Sequence, residues 1–161
     1  VFPQRVSLDH PREIEGRVAR FDTAQANNGL EVEVNLSPAV WDGRFANNGW
    51  LQELPDNMTK VAWDNVATVS HRTAAELGIE NEDLLTLTVE GRSVSMPAWI
   101  VPGQADGVVG VTVGYGRTHA GRIADGVGAS AYLLGLPGFS GTVQVTRTGN
   151  KYHLANAQDH G

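Results

Sequence analysis

The sequence predicts a mainly β domain that closes into a small barrel and carries one or two short helices. Three observations point there. Apolar residues recur with period two in short runs, as in Leu30-Glu31-Val32-Glu33-Val34-Asn35-Leu36, where one face is apolar and the other polar. Nineteen glycines and seven prolines, among many Val and Thr residues, favour short strands and turns over long helices. The connections are long and glycine-rich, which suits crossing loops on a closed barrel better than the tight hairpins of a sandwich.

Residues 1–29 read as an extended lead-in, polar and broken by Pro3 and Pro11, with Phe2 and Val6 as candidates for packing and a polar loop ending in Asn27-Asn28-Gly29. Residues 30–157 form the barrel domain. Its first strand is the alternating run at 30–36. Ser37 is placed to cap a turn beginning at Pro38, and residues 38–65 then make a long flap containing Trp41, Trp50, Pro55 and Trp63. A connection of this length is either functional or a cover packed by its own aromatics. The tryptophans, with Trp99, are expected to anchor that flap on the barrel, because aromatic side chains bring large apolar area to a small core.

Residues 66–70 make a short apolar strand, and residues 72–77 a helix that ends at Gly78 with Ser70 or His71 at its start. Residues 84–90 and 93–96 alternate again and are joined through Gly91 as a hairpin. After the turn Val101-Pro102-Gly103 comes an apolar strand at 108–113. Residues 141–148 and 152–155 read as a final hairpin around Gly149-Asn150, and 158–161 as a polar tail. The chain begins at Val1 with neither a basic nor an apolar leader, and is read as a fragment of a larger subunit.

Composition removes several classes of function. The formal net charge is −6, without a basic run to follow a phosphate backbone, so nucleic acid is not an expected partner. With no cysteine, thiol catalysis and cysteine-ligated iron–sulfur clusters are not expected in these residues. No apolar run approaches the roughly 20 residues needed to span a bilayer by helix, so direct membrane insertion is not expected. The histidines lack metal-ligand spacing such as His-Glu-x-x-His, and no metal is proposed.

The candidate binding residues sit in two glycine-rich loops and a helix start. Gly114-Tyr115-Gly116-Arg117 follows the strand at 108–113, and a second loop returns to Ala129-Ser130-Ala131-Tyr132. Exposed amides and the planar fork of Arg117 suit an anion or a nucleotide phosphate; barrel turns with Arg117 paired to a carboxylate are the plainer alternative. Arg122 is a second candidate phosphate partner. His71 begins the short helix, where ring and free amides would face a ligand, or bond to backbone or water. Asp106 and Asp125 read as turn formers beside their glycines rather than as an acid–base pair, and Ser70 and Ser130 lack a nucleophile-elbow setting. No catalytic residue is assigned.

Three blocks together resemble a known family. They are Trp50-Leu51-Gln52-Glu53-Leu54-Pro55-Asp56-Asn57 continuing to Trp63-Asp64-Asn65; Ser70-His71-Arg72-Thr73-Ala74-Ala75-Glu76-Leu77-Gly78-Ile79; and Pro102-Gly103-Gln104-Ala105-Asp106-Gly107 with Gly114-Tyr115-Gly116-Arg117. They are similar to the molybdopterin-oxidoreductase-like, iron–sulfur subunit of bacterial alternative complex III, a quinol:electron acceptor oxidoreductase, over most of residues 30–158. The resemblance implies a double-psi β-barrel of the aspartate-decarboxylase-like, molybdopterin-dinucleotide-binding-like kind. It implies a non-catalytic structural domain without a cofactor of its own, with iron–sulfur clusters in other parts of the parent chain. Partners would be other domains of that subunit and neighbouring respiratory-complex subunits, at the periplasmic face of a bacterial inner membrane.

The alternative is the molybdopterin guanine dinucleotide-binding domain of an active molybdenum or tungsten oxidoreductase. There the loops matching Ser70, His71, Arg72 and Thr73, Gly114, Tyr115, Gly116 and Arg117, and Ser130 would grip the cofactor; catalytic relatives often carry Asn where this chain has Ser130. A self-processing decarboxylase on the same fold would need a Gly-Ser peptide, and the sequence contains none.

Overall fold

The computed structural model of the chain describes residues 29–157, so the lead-in up to residue 28 and the tail at 158–161 lie outside the described residues. Six strands close into a barrel in the order β1 (Leu30–Leu36), β6 (Val108–Val113), β3 (Ala67–Val69), β5 (Arg92–Ile100), β4 (Asp83–Val89) and β7 (Ser140–Lys151), with β7 returning to β1. β1 and β6 run parallel, as do β3 and β5; β3 and β6 meet antiparallel at Thr68 and Gly110. The predicted fold class holds: the domain is mainly β, a closed six-stranded barrel consistent with a double-psi barrel.

Period two places the core. Val32 and Val34 of β1, Leu85 and Leu87 of β4, and Val109 and Val111 of β6 are buried, while Glu33 and Asn35 face outward. Fully burying an aliphatic side chain of this size stabilises the fold by about 1.5–3 kcal/mol. Ala74 and Ile79, on and just after helix α2 (His71–Leu77), join the same cluster from one end of the barrel, and Ala131 and Leu134, at a 3₁₀ turn (Ala131–Leu133), join it from the other.

The β4–β5 hairpin turns on Glu90 and Gly91, both with positive φ (49° and 80°), the pattern of a two-residue type I′ loop. β5 runs further than its alternation indicated. Its ladder with β4 ends at Pro97 and its ladder with β3 begins at Ala98, so the proline sits at the handover.

The expected final hairpin is corrected by the structure. β7 continues through Gly149-Asn150 to Lys151, still paired to β4. Between the pairs Leu85–Arg147 and Asp83–Lys151 the ladder shifts register, and Gly149 (φ 81°) lies within that bulge rather than in a hairpin turn. The segment beyond forms β8 (Ala155–Asn156), which pairs with β2 (Val61–Ala62) of the flap.

The flap itself contains a short helix, α1 (Gly49–Glu53), capped by the Asn48 side chain, which accepts the Trp50 N–H at 3.1 Å. Ser37 does cap the turn at Pro38, its Oγ accepting the Ala39 and Val40 amides at 3.2 Å each.

Candidate functional site

The helix-start residues form a tied junction. Ser70 is the N-cap of α2, its Oγ accepting the Thr73 N–H at 3.1 Å and donating to Asp106 Oδ1 at 2.6 Å. Thr73 Oγ1 accepts the Gly107 N–H at 2.8 Å. Ser70 and Thr73 are buried, so both hydroxyls serve to fasten the helix to the turn before β6. His71 and Arg72 are exposed; Arg72 pairs with Glu76 at 3.0 Å and approaches Asp106 at 3.8 Å. Asp106 does sit in the expected turn with Gly107 (φ 75°), closed by the Val108 N–H on Ala105 O, but its carboxylate clasps Ser70 across 36 residues.

The glycine loops lie at the opposite end of β6, a strand of six residues and so about 20 Å long. They face each other and the flap. Gly114 (φ 108°) packs so closely that a Cβ would stand 2.8 Å from the Trp41 carbonyl oxygen and from Val40. Gly116 (φ 72°) lies against the backbone of Ala129 and Ser130, where a Cβ would meet the Ala129 carbonyl carbon at 2.6 Å. Its amide donates to Val127 O at 2.7 Å, and the Arg117 carbonyl accepts the Gly126 N–H at 2.8 Å. Arg117 Nη1 donates to Gly43 O at 2.6 Å, so its tie is to a flap carbonyl; among the described residues it has no carboxylate partner. Tyr132 OH donates to Asp42 O at 2.8 Å, a second tie between loop and flap. Asp125 closes the loop before it rather than a turn with Gly126, Oδ1 accepting the Ala120 and Gly121 amides at 2.6 and 3.2 Å.

Asn65 holds this end together. Buried at 3% exposure, it donates through Nδ2 to Thr112 O (2.8 Å) and Ala129 O (2.9 Å), and accepts the Ala129 N–H at Oδ1 (2.8 Å). Nothing in the local sequence marks it, because its partners lie 47 and 64 residues away.

Between flap and barrel runs a groove with a cavity of about 220 Å³. Its floor is the outer face of β1, β6 and β3, with Glu33, Asn35, Thr112 and Thr68; its rim includes Pro38, Leu54 and Met58 of the flap. Among the described residues, Glu33, Asp56 and Asp64 line it, and no Lys, Arg or His does. Burial pushes the Asp64 carboxyl above the ordinary carboxylate range, a shift opposed by the Tyr152 hydroxyl, which donates to Oδ2 at 3.0 Å. Burial likewise raises the Tyr115 phenol, which bonds to Ser37.

No protein-family model matches the chain, and no curated protein matches it. Among solved structures it is similar to acetylene hydratase from Pelobacter acetylenicus, with a TM-score of 0.56 over 84% of this chain and 13% sequence identity. The likeness is of fold alone. The chain spans 20% of the length of that neighbour.

The structure thus brings Gly114, Tyr115, Gly116 and Arg117 together with Ser130, and sets Ser70, His71, Arg72 and Thr73 apart from them. Of that set Tyr115 alone lines the groove, whose acidic residues were not among the candidates. The flap is also anchored otherwise than expected. Trp50 is 83% exposed and Trp41 48%, and a small cluster of Val40, Ala46, Tyr115 and Ala124 does the packing. Trp99 keeps the predicted role in part, packing on Val61, Val66 and Leu154 where β2 and β8 meet the barrel, and Trp63 is half-buried.

Proposed function

We propose that this barrel is a non-catalytic, molybdopterin-binding-like structural domain of a respiratory quinol:electron acceptor oxidoreductase subunit, holding other domains of its parent subunit and neighbouring subunits in register at the periplasmic face. The fold likeness supports the coarser part, a molybdopterin-related domain; the respiratory placement rests on the resemblance of the three sequence blocks. Iron–sulfur clusters would lie in other parts of the parent chain.

The observation that carries the structural role is where the donors point. A guanine dinucleotide needs amides, hydroxyls and cations converging on its diphosphate. Here the Ser70 and Thr73 hydroxyls and the Gly116 amide bond within the domain, one Arg117 nitrogen is bonded to Gly43 O, and the two loop sets lie at opposite ends of β6. The groove between them is lined by three carboxylates, which repel phosphate. As arranged, these residues do not fit a diphosphate.

The test is an amide-resolved NMR titration of the chain with guanosine diphosphate, together with metal and pterin analysis of the intact parent subunit. The expected results are no saturable shift at Ser70 to Thr73 or Gly114 to Ser130 at millimolar ligand, and no stoichiometric molybdenum or tungsten. Stoichiometric metal with pterin would sink the proposal.

A second reading is the cofactor-binding domain of an active molybdenum or tungsten oxidoreductase. It is favoured by the likeness to acetylene hydratase, a molybdopterin/tungsten enzyme, and by an Arg117 that lacks a carboxylate partner among the described residues. It requires Arg117 to leave the Gly43 carbonyl. If Arg117→Ala leaves the cofactor content of the full enzyme unchanged, Arg117 has no such role.

A further inference from the structure

Neither reading of the loops uses the groove beneath the flap. Its three carboxylates keep open acceptor positions. Among the described residues, Asp56 directs Oδ1 to the Met58 and Thr59 amides and the Thr59 hydroxyl and finds no hydrogen-bond donor for Oδ2; Asp64 receives the Tyr152 hydroxyl at Oδ2 alone; and Glu33 has no ion-pair partner. A cavity with this lining attracts a cation and repels an anion. Its rim is apolar and reaches solvent: Leu54 is 59% and Met58 69% exposed, and Trp50, on the same stretch of flap, is 83% exposed. A free small cation would fill the cavity and leave that rim bare. A chain that carries a cation with apolar neighbours would cover both.

We propose that the groove binds an extended polypeptide segment of a neighbouring domain or subunit, which sets a lysine or arginine among Glu33, Asp56 and Asp64 and lays apolar side chains on Leu54 and Met58. Asn35 on the exposed floor offers an amide to the segment's backbone. The proposal deepens the structural reading above, and rests on it for the presence of a neighbouring polypeptide. The two remain separable, because Arg117 and Ser130, where guanosine diphosphate would report, do not line the groove.

The experiment is an amide-resolved NMR titration of the 161-residue chain with the blocked peptide Leu-Arg-Val-Lys-Leu, its counterpart Leu-Glu-Val-Glu-Leu, and butylguanidinium. The expected result is saturable shifts at Glu33, Asn35, Asp64 and Thr112 with the basic peptide alone, weakening as salt is raised. The double variant Glu33→Gln/Asp64→Asn should bind at least about tenfold more weakly, as expected when two charge-assisted contacts are lost. Leu54→Ser/Met58→Ser, which alters exposed positions and so spares the fold, should lose the peptide's advantage over butylguanidinium. Equal binding of the acidic peptide, butylguanidinium binding as tightly as the peptide, unchanged affinity in both variants, or no shift at millimolar peptide would each overturn the proposal.

Discussion

Asn65→Ala is the substitution that most directly tests how the glycine loops are held. The Asn65 side chain makes three hydrogen bonds of 2.8, 2.9 and 2.8 Å to Thr112 O, Ala129 O and Ala129 N–H, and the residue is buried. At about 1 kcal/mol net per bond the loss is about 3 kcal/mol, because water cannot readily replace the missing partner of a buried amide. That corresponds to roughly a hundredfold fall in the folding constant. In a domain of this size it is a drop of roughly 6–12 °C in Tm. Urea unfolding followed by circular dichroism gives the global value, and hydrogen exchange at the Ala129 amide gives the local one. Asn65→Asp sharpens the test, since it keeps an acceptor for Ala129 N–H but turns a second oxygen toward two carbonyls. A loss below about 0.5 kcal/mol in Asn65→Ala, or an Asn65→Asp variant as stable as the parent at neutral pH, would refute the reasoning, since either lies outside the usual effect of removing a buried partner.

Three further outcomes follow from particular geometries. Gly116→Ala places a Cβ against the Ala129–Ser130 backbone at a positive φ and should abolish or severely weaken folding, whereas Gly126→Ala, also at positive φ (76°) but with open space around it, should cost about 1–2 kcal/mol; comparable unfolding midpoints for the two would contradict the packing described. The Arg44 guanidinium, helped by the Arg44 amide, holds the Asp42 carboxyl down at about 2, and in Arg44→Ala an NMR titration should find it risen toward 3.8 but still below it, because the amide of residue 44 keeps its bond to Oδ1. Asp64 titrates in the other direction. Its folded-state pKa is raised above 3.8, so it costs nothing at lower pH, where both states are protonated, and destabilises the fold as pH rises through that raised value. Asp64→Asn should therefore gain on the parent between pH 3 and pH 7 in urea unfolding, and a pH-independent difference would count against burial as the cause.

What the sequence made legible was set by range. β1, β4 and β6 announce themselves because alternation is a local signal and each has one face in the core. Ser70 and Gly78 mark the two ends of α2 because capping is decided within four residues. Gly149-Asn150 misled because the same dipeptide serves a hairpin or a bulge, and pairing with β4, more than 60 residues away, decided for the bulge. α1 gave no comparable signal, since it has only five residues to show any period and the Asn48-Gly49 pair at its start marks a turn as readily as a helix cap. The tryptophans were assigned inward on area alone, while Trp50 at 83% exposure shows that apolar size does not fix direction. The candidate loops were legible as glycine-rich, but whether their amides face a ligand or a neighbouring loop depends on Asn65, Gly43 and Asp42, none of which is near them in the chain.

A functional meaning for the groove follows from where the domain is and is not self-satisfied. At the glycine loops each close approach is matched by a bond or a packed surface that stabilises the barrel: Gly116 by Val127, Arg117 by Gly43, Tyr132 by Asp42. Such a loop needs no ligand to explain its composition. The groove is the reverse case. Asp64 is held partly out of water at a cost, Glu33 stands without a counterion among the described residues, and Leu54 and Met58 expose apolar surface beside them. Features that cost stability and are not repaid among the described residues are where sequences carry function rather than fold. On the reading proposed here, the surface of this barrel that calls for a partner is thus the acidic groove, on the outer face of β1 and β6, rather than the glycine-rich loops.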